Sequence, residues 1–186
     1  MEHVILFAGP MGAGKSTAIA TLSDIEVVTT EAANTERHVV DKATTTVALD
    51  YGEITIGDEE KVRLYGVPGQ SRFDFMWTIL RERARGLVLL VNNDDVDPIA
   101  SMLERLAPFE DLLRRRAVVI GVTRSDVAPR PSTADYAAAV SAAHPGVVLP
   151  ILTVDARDLT RMRTLLLTLV SLVEAATELE TDEVTA

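Results

Sequence analysis

One short segment near the start of the chain constrains its fold more than any other. Residues 9–16, GPMGAGKS, match the pattern GxxxxGK[ST] at every fixed position. An apolar run at residues 3–8 precedes this segment, and a helical pattern at residues 15–22 follows it. Glycines in such a turn let backbone N–H groups curl around phosphate oxygens, and the start of a helix adds a favourable dipole. The segment therefore predicts a phosphate-binding loop between a buried strand and a helix.

The residue types within this loop predict separate roles. Lys15 is expected to reach the β- and γ-phosphates of a nucleotide, and the hydroxyl of Ser16 is expected to bind Mg²⁺. The predicted phosphate-binding residues of this segment are Gly9, Met11, Gly12, Ala13, Gly14, Lys15, Ser16 and Thr17. The motif alone does not name a reaction, because kinases of small molecules or nucleotides can also begin with such a loop.

The rest of the chain alternates between strand and helix patterns. Apolar runs at residues 86–91, 117–122 and 147–152 are typical of strands that are buried on both faces. Residues 47–56 and 61–65 flank a turn and predict a hairpin. Helical patterns cover residues 72–85, 99–115, 134–143 and 159–178, whereas the polar, threonine-rich segment at residues 23–46 is expected to be an irregular loop. This alternation predicts a three-layer, doubly wound α/β fold with a mostly parallel six-stranded sheet and one antiparallel edge strand from the hairpin.

Length and composition narrow the class of protein. A chain of 186 residues has room for one domain, which we place at residues 1–178, with an acidic flexible tail at 179–186. The chain has no cysteine, so disulfides, thiolate metal sites and lipid anchors on cysteine are excluded. The net charge of −10 argues against a nucleic-acid partner. No apolar run is long enough for an integral membrane segment, and we expect a cytoplasmic protein.

Segments downstream of the loop resemble the small Ras-like GTPases. The segment GVPGQ ends the hairpin strand at the place where that family has DxxGQ. The resemblance implies that the N–H of Gly69 contacts the γ-phosphate and that Gln70 orients the attacking water. It also places a threonine from Thr44, Thr45 and Thr46 over Mg²⁺ and the γ-phosphate, and we choose Thr46, which directly precedes a strand. The predicted catalytic residues are then Gln70, Lys15 and Thr46, and the predicted Mg²⁺ ligands are Ser16 and Thr46.

Two further segments resemble the base-reading motifs of that family. The segment TRSD at residues 123–126 resembles NKxD in its TKxD form, and DAR at residues 155–157 resembles SA[KL]. A carboxylate such as that of Asp126 can accept hydrogen bonds from guanine N1–H and N2–H₂ together, whereas adenine offers no such pair. The resemblance adds stacking of the Arg124 guanidinium on the base and a backbone N–H near Ala156 for guanine O6. The predicted guanine-binding residues are Thr123, Arg124, Asp126, Ala156 and Arg157.

Within the superfamily, the segments VPGQ and TTVALDYGEI are most similar to bacterial MglA-type and related conservon-type GTPases. This resemblance implies a switch that binds GTP or GDP with Mg²⁺ and hydrolyses GTP in bacterial signalling, polarity or motility. It also implies protein partners at the switch regions, such as a Roadblock-type regulator or effector.

The chain departs from the family pattern at three positions. Gly66 stands where the aspartate of DxxG is expected, and Asp50 on the neighbouring strand is a candidate substitute for it. Met11 crowds the space that Gln70 needs, so we expect slow hydrolysis without a partner. Thr123 replaces an amide residue that braces the phosphate loop, which weakens the expected preference for guanine. Two alternative functions remain: a nucleotide-binding adaptor with little hydrolysis, and a P-loop kinase that uses ATP.

Overall fold

The computed structural model describes residues 2–31, 48–57, 60–67 and 80–185 of the chain. The strands in these residues are β1 (Glu2–Ala8), β2 (Val28–Glu31), β3 (Ala48–Ile56), β4 (Glu60–Gly66), β5 (Gly86–Asn92), β6 (Val118–Thr123) and β7 (Ile151–Thr153). The helices are α1 (Lys15–Leu22), α2 (Pro98–Leu106), α3 (Glu110–Arg114), α4 (Thr133–Ala143) and α5 (Leu159–Thr185). The strands form one sheet in the order β2-β3-β4-β1-β5-β6-β7.

The direction of the strands confirms the predicted fold class. Five adjacent strands are parallel to one another, in the order β4, β1, β5, β6 and β7. Strand β3 runs antiparallel to β2 and to β4, so the antiparallel strand comes from the predicted hairpin. The molecule is therefore an α/β protein with a mostly parallel sheet and an antiparallel strand near one edge.

The described part of the sheet has seven strands rather than the six predicted. The additional strand is β2, which lies inside residues 23–46, the segment that the sequence marks as an irregular loop. Val28 pairs with Tyr51, and Thr29 pairs with Asp50. Valine and threonine suit a half-exposed strand, and pairing with β3 satisfies their backbone hydrogen-bonding groups. The expectation of a wholly irregular loop was thus wrong for these residues.

Two helical predictions differ from the structure in their boundaries. The pattern at residues 99–115 is divided into α2, a 3₁₀ turn at Ala107–Phe109, and α3. Pro108 lies in that turn, and a proline removes a backbone donor that a continuous helix would need. Helix α5 continues to Thr185, beyond residue 178 where the sequence pattern ends. The single domain at 1–178 and the flexibility of the tail remain predictions.

Helices cover the central strands on both faces. Every residue of β5 and β6 is buried. On one side α1 contacts α5, and on the other α2 contacts α4, so the sheet is the middle of three layers. Loops that follow the carboxyl ends of parallel strands meet at one edge of such a sheet, where α/β proteins bind ligands. Within the described residues, none of the helices has the length and apolar content needed to cross a membrane.

Candidate functional site

The loop between β1 and α1 has a backbone that requires glycine at two close contacts. Gly9 has a φ of 147°, and a Cβ there would lie 2.3 Å from the carbonyl oxygen of Leu90. Gly14 has a φ of 92°, and a Cβ there would lie 2.8 Å from the Cβ of Ala156. Both φ values lie in the range that residues with a side chain rarely adopt. The glycines therefore let the loop pack directly on β5 and on the segment after β7.

Lys15 lies against the loop that precedes it. Its Nζ donates hydrogen bonds to the carbonyl oxygens of Gly9 at 2.9 Å and Pro10 at 2.8 Å. Burial lowers the pKa of Lys15, and the positive charge of Arg105 lowers it further, while Asp50 acts in the opposite direction. A negatively charged phosphate at this position would favour the ammonium form, because an opposite charge nearby stabilises a charged group.

Ser16 contacts the carboxylate that the sequence names as a substitute for the missing aspartate. The hydroxyl of Ser16 donates a hydrogen bond to Oδ2 of Asp50. The other carboxylate oxygen, Oδ1, accepts a hydrogen bond from the hydroxyl of Thr29 at 3.0 Å. Hydroxyl and carboxylate oxygens are hard donors of the type that Mg²⁺ takes, together with water and nucleotide phosphates. Ser16 and Asp50 thus fit a Mg²⁺ ion, and their binding of one remains a prediction.

The absence of a side chain at Gly66 makes room for Asp50. The two residues are partners across β3 and β4. A Cβ on Gly66 would lie 3.1 Å from the Cβ of Asp50 and 3.2 Å from its Oδ2. It would also lie 2.9 Å from Cδ1 of Ile19 on helix α1. Glycine at position 66 and aspartate at position 50 are therefore sterically complementary.

A cleft of about 380 Å³ joins the phosphate loop to the predicted base-reading segments. The loop after β6 and the loop after β7 approach the phosphate loop because all three leave the same edge of the sheet. Nine residues that the sequence predicts as phosphate- or guanine-binding line the cleft: Gly12, Ala13, Gly14, Thr17, Thr123, Arg124, Asp126, Ala156 and Arg157. The lining also includes Asp94, Val127, Val154 and Asp155, which were not predicted as site residues.

Charges in the loop after β7 are organised around Arg157. Its guanidinium donates to both oxygens of Asp155, at 2.9 and 2.7 Å, and its backbone N–H also donates to Asp155 at 2.9 Å. These bonds lower the pKa of Asp155 to about 2. Asp155 raises the pKa of Arg157, and the nearby Asp126 adds to this effect. Arg157 therefore screens two carboxylates that lie in the same cleft.

The side-chain amide of Asn92, which the sequence did not predict as a site residue, braces the phosphate loop. Thr123 is buried, and its hydroxyl donates to the carbonyl oxygen of Val91 at 3.0 Å and lies 3.3 Å from Oδ1 of Asn92. The Nδ2 group of Asn92 donates to the carbonyl oxygen of Met11 at 3.4 Å. The amide that Thr123 lacks is thus supplied by the end of β5. A polar asparagine directly after a buried apolar run was the available signal.

Other predicted residues lie outside the described part of the chain. These residues are Thr44, Thr45, Thr46, Gly69 and Gln70. The side chain of Met11 is 80% exposed at the rim of the loop. Because Gln70 is not described, the expected crowding between these two side chains remains a prediction.

Comparisons with known proteins agree with this geometry at the level of fold and ligand class. A family model described as "Conserved hypothetical ATP binding protein" matches residues 25–180, a range that begins after the phosphate loop. Among solved structures, the G domain of the FeoB iron transporter of T. maritima is similar, with a TM-score of 0.59 and 16% sequence identity. That match covers 95% of this chain and 99% of the FeoB chain. No curated protein sequence matches the chain.

These matches support a P-loop NTPase with the fold of a G domain, and they support nucleotide binding. At 16% identity, the likeness to FeoB concerns the fold alone. Neither match points to the MglA-type group in particular.

Proposed function

The chain belongs to the family described as conserved hypothetical ATP binding proteins, and we propose that it acts as a nucleotide-dependent switch, with GTP as its nucleotide. The proposal is that GTP is hydrolysed to GDP in the cleft between the phosphate loop and the loops after β6 and β7. One observation carries it: the phosphate loop and the base-reading residue Asp126 line the same cleft.

The preference for guanine rests on the chemistry of Asp126. Its exposed carboxylate lies in the cleft with Ala156. A carboxylate accepts the two donors on the Watson–Crick edge of guanine, and the backbone N–H near Ala156 is available for O6. A bound adenine would shield the carboxylate from water without offering it these donors, at a cost of about 1–3 kcal/mol. Such a cost corresponds to a preference of roughly five- to 150-fold.

Hydrolysis is assigned to the residues around the phosphates. Lys15 and the N–H groups of the loop stabilise negative charge on the transferred phosphoryl group, because fixed donors cost no reorganisation during the reaction. Gln70 orients the attacking water, and Thr46 closes over the γ-phosphate. Ser16 and Asp50, which contact each other, would hold a Mg²⁺ ion through their hydroxyl and carboxylate oxygens. The ion would supply further positive charge to neutralise the negative charge of the phosphates.

The switch itself is proposed for the segments around Thr46 and Gln70. Contacts with the γ-phosphate would order these segments in the GTP state, and hydrolysis would release them. Protein partners, such as a Roadblock-type regulator or effector, would read this difference. We propose a cytoplasmic role in bacterial signalling, polarity or motility, with slow hydrolysis in the absence of a partner.

ATP is the second candidate nucleotide, and the description of the family favours it. The same phosphate loop would serve ATP, because its contacts are with phosphates and not with the base. The two candidates differ only in what Asp126 and the loop after β7 contact, so they can be separated by affinity.

The test is a titration of the nucleotide-free protein with GTP, GDP, ATP and ADP in the presence of Mg²⁺, followed by calorimetry. We expect guanine nucleotides to bind at least about fivefold more tightly, and Asp126→Ala to remove most of that difference. Asp95→Ala is the control, because Asp95 is exposed and does not line the cleft. Tighter binding of ATP that is insensitive to Asp126→Ala would overturn the guanine assignment. Release of phosphate from GTP, lost in Gln70→Ala, distinguishes a hydrolase from a non-hydrolysing adaptor.

A further inference from the structure

Asp94 forms an ion pair that joins the end of β5 to the base-reading segment. Its Oδ2 accepts a hydrogen bond from Nη1 of Arg124 at 2.8 Å. The Nη2 group of Arg124 donates to the carbonyl oxygen of Gly12 at 3.3 Å. One guanidinium thus contacts two segments, the turn after β5 and the phosphate loop. Asp94, Arg124 and Gly12 all line the candidate nucleotide cleft.

The arginine at position 124 is chemically suited to this double contact. A guanidinium is planar and carries donors on two edges, so it can bind a carboxylate and a carbonyl at once in a fixed orientation. A lysine ammonium is a flexible point charge and does not impose a plane. Arg124 also has a φ of 58°, a conformation that is uncommon for a residue with a long side chain. Its backbone and its side chain are therefore both held in specific positions at the rim of the cleft.

We propose that Asp94 is a positioning residue for nucleotide binding, which holds the Arg124 guanidinium against the phosphate loop as a preformed wall of the base site. The pair Asp94 and Arg124 would then take the place of the lysine that the TKxD pattern expects. This inference rests on the proposed function only in that a nucleotide must occupy the cleft. It does not depend on whether the base is guanine or adenine.

The solvent exposure of the Asp94–Arg124 ion pair determines whether its loss should affect the stability of the fold or the binding of nucleotide. The side chains of Arg124 and Asp94 are 47% and 29% exposed. An ion pair this accessible to water contributes little to the stability of the fold. An arginine that is already ordered, however, loses less conformational freedom when a ligand binds against it. Loss of Asp94 should therefore weaken nucleotide binding without lowering the melting temperature of the free protein.

A double-mutant cycle tests the proposal. The variants are Asp94→Asn, Arg124→Ala and the double variant, and Asp95→Asn is the control on the same turn. We expect Asp94→Asn to weaken nucleotide binding by roughly five- to twentyfold, mostly through faster dissociation. We expect no further loss when the same change is made in the Arg124→Ala background. The melting temperature of the nucleotide-free Asp94→Asn variant should equal that of the control.

The outcomes separate this inference from the proposed function. The titration of the unmodified protein identifies the preferred nucleotide, and the cycle is then run with that nucleotide. A preference for ATP would overturn the GTP assignment, while the cycle would still decide the role of Asp94. An equal loss from Asp94→Asn with and without Arg124, or no loss at all, would overturn the positioning role even if guanine is preferred. Binding of neither guanine nor adenine nucleotides would overturn both.

Discussion

At the scale of single residues, the carboxylate of the site lies on β3 instead of on the neighbouring strand β4. The family pattern expects a carboxylate at the end of β4, and this chain has Gly66 there. Asp50, on β3, is the cross-strand partner of Gly66 and reaches the hydroxyl of Ser16. Thr29, on β2, donates to the other oxygen of the same carboxylate. Three strands and one helix therefore place a single carboxylate beside the predicted Mg²⁺ ligand.

The position of the carboxylate on β3 predicts the results of two substitutions. Asp50→Ala should weaken Mg²⁺-dependent nucleotide binding by roughly tenfold or more and leave binding in a chelator unchanged, because Asp50 is proposed to contact the metal and not the nucleotide. Adding Gly66→Asp to the Asp50→Ala variant should not restore binding. A Cβ at position 66 would lie 2.9 Å from Cδ1 of Ile19, so the new side chain has no room beside helix α1. Titrations with and without Mg²⁺ check both variants. Mg²⁺-dependent affinity that is unchanged in Asp50→Ala would show that Asp50 has no such role.

At the scale of secondary-structure elements, a buried hydrogen bond joins helix α4 to the residue that follows β5. The hydroxyl of Tyr136 donates to Oδ1 of Asn93 at 2.7 Å. The amide nitrogen of Asn93 donates in turn to the carbonyl oxygens of Ala128 at 2.6 Å and Pro131 at 3.1 Å. Burial raises the pKa of Tyr136 to about 12, so the phenol remains protonated and able to donate at neutral pH. These bonds hold the segment between the base-reading loop and α4.

Tyr136→Phe should lower the free energy of unfolding by about 1–3 kcal/mol, because Oδ1 of Asn93 would be left buried without this donor. Urea denaturation monitored by circular dichroism measures the change. Ser132→Ala provides a comparison on the same helix, where loss of the capping box should cost about 0.5–2 kcal/mol. Nucleotide affinity should fall in Tyr136→Phe and stay unchanged in Ser132→Ala, since Ser132 only caps the helix. Equal stability of Tyr136→Phe and the unmodified protein would contradict this account.

At the scale of the whole molecule, the candidate site exists only in the folded chain. Its walls come from the loops after β1, β5, β6 and β7, which are distant in sequence and meet at one edge of the sheet. The unfolded chain cannot assemble these contacts. A ligand that binds only the folded state stabilises that state by mass action.

Nucleotide should therefore raise the melting temperature in a concentration-dependent way. At a free concentration about a hundred times Kd, the expected stabilisation is about 2.7 kcal/mol. Lys15→Ala should abolish the shift, because the ammonium that is proposed to contact the phosphates is lost. Thermal melting over a series of nucleotide concentrations measures the effect. A shift of the same size in Lys15→Ala would place the nucleotide elsewhere on the molecule.

The sequence by itself determined the features that depend on local pattern. The spacing of residues 9–16 predicts a phosphate loop, and the structure places that loop between β1 and α1. The apolar runs at residues 86–91 and 117–122 predict the two fully buried strands β5 and β6. Steric limits on the loop backbone and burial on both faces act within a few residues, so they can be read directly from the order of residue types.

Only the tertiary structure decided which distant side chains meet. Ser16 and Asp50 are 34 positions apart, and Arg124 and Asp94 are 30 apart. The first contact depends on the register of β3 against β4, because a shift by one residue would turn Asp50 to the other face of the sheet. The second depends on β5 and β6 ending side by side. The sequence did not predict β2 for the same reason. Its residues have only a weak strand pattern, and they form a strand because they pair with β3.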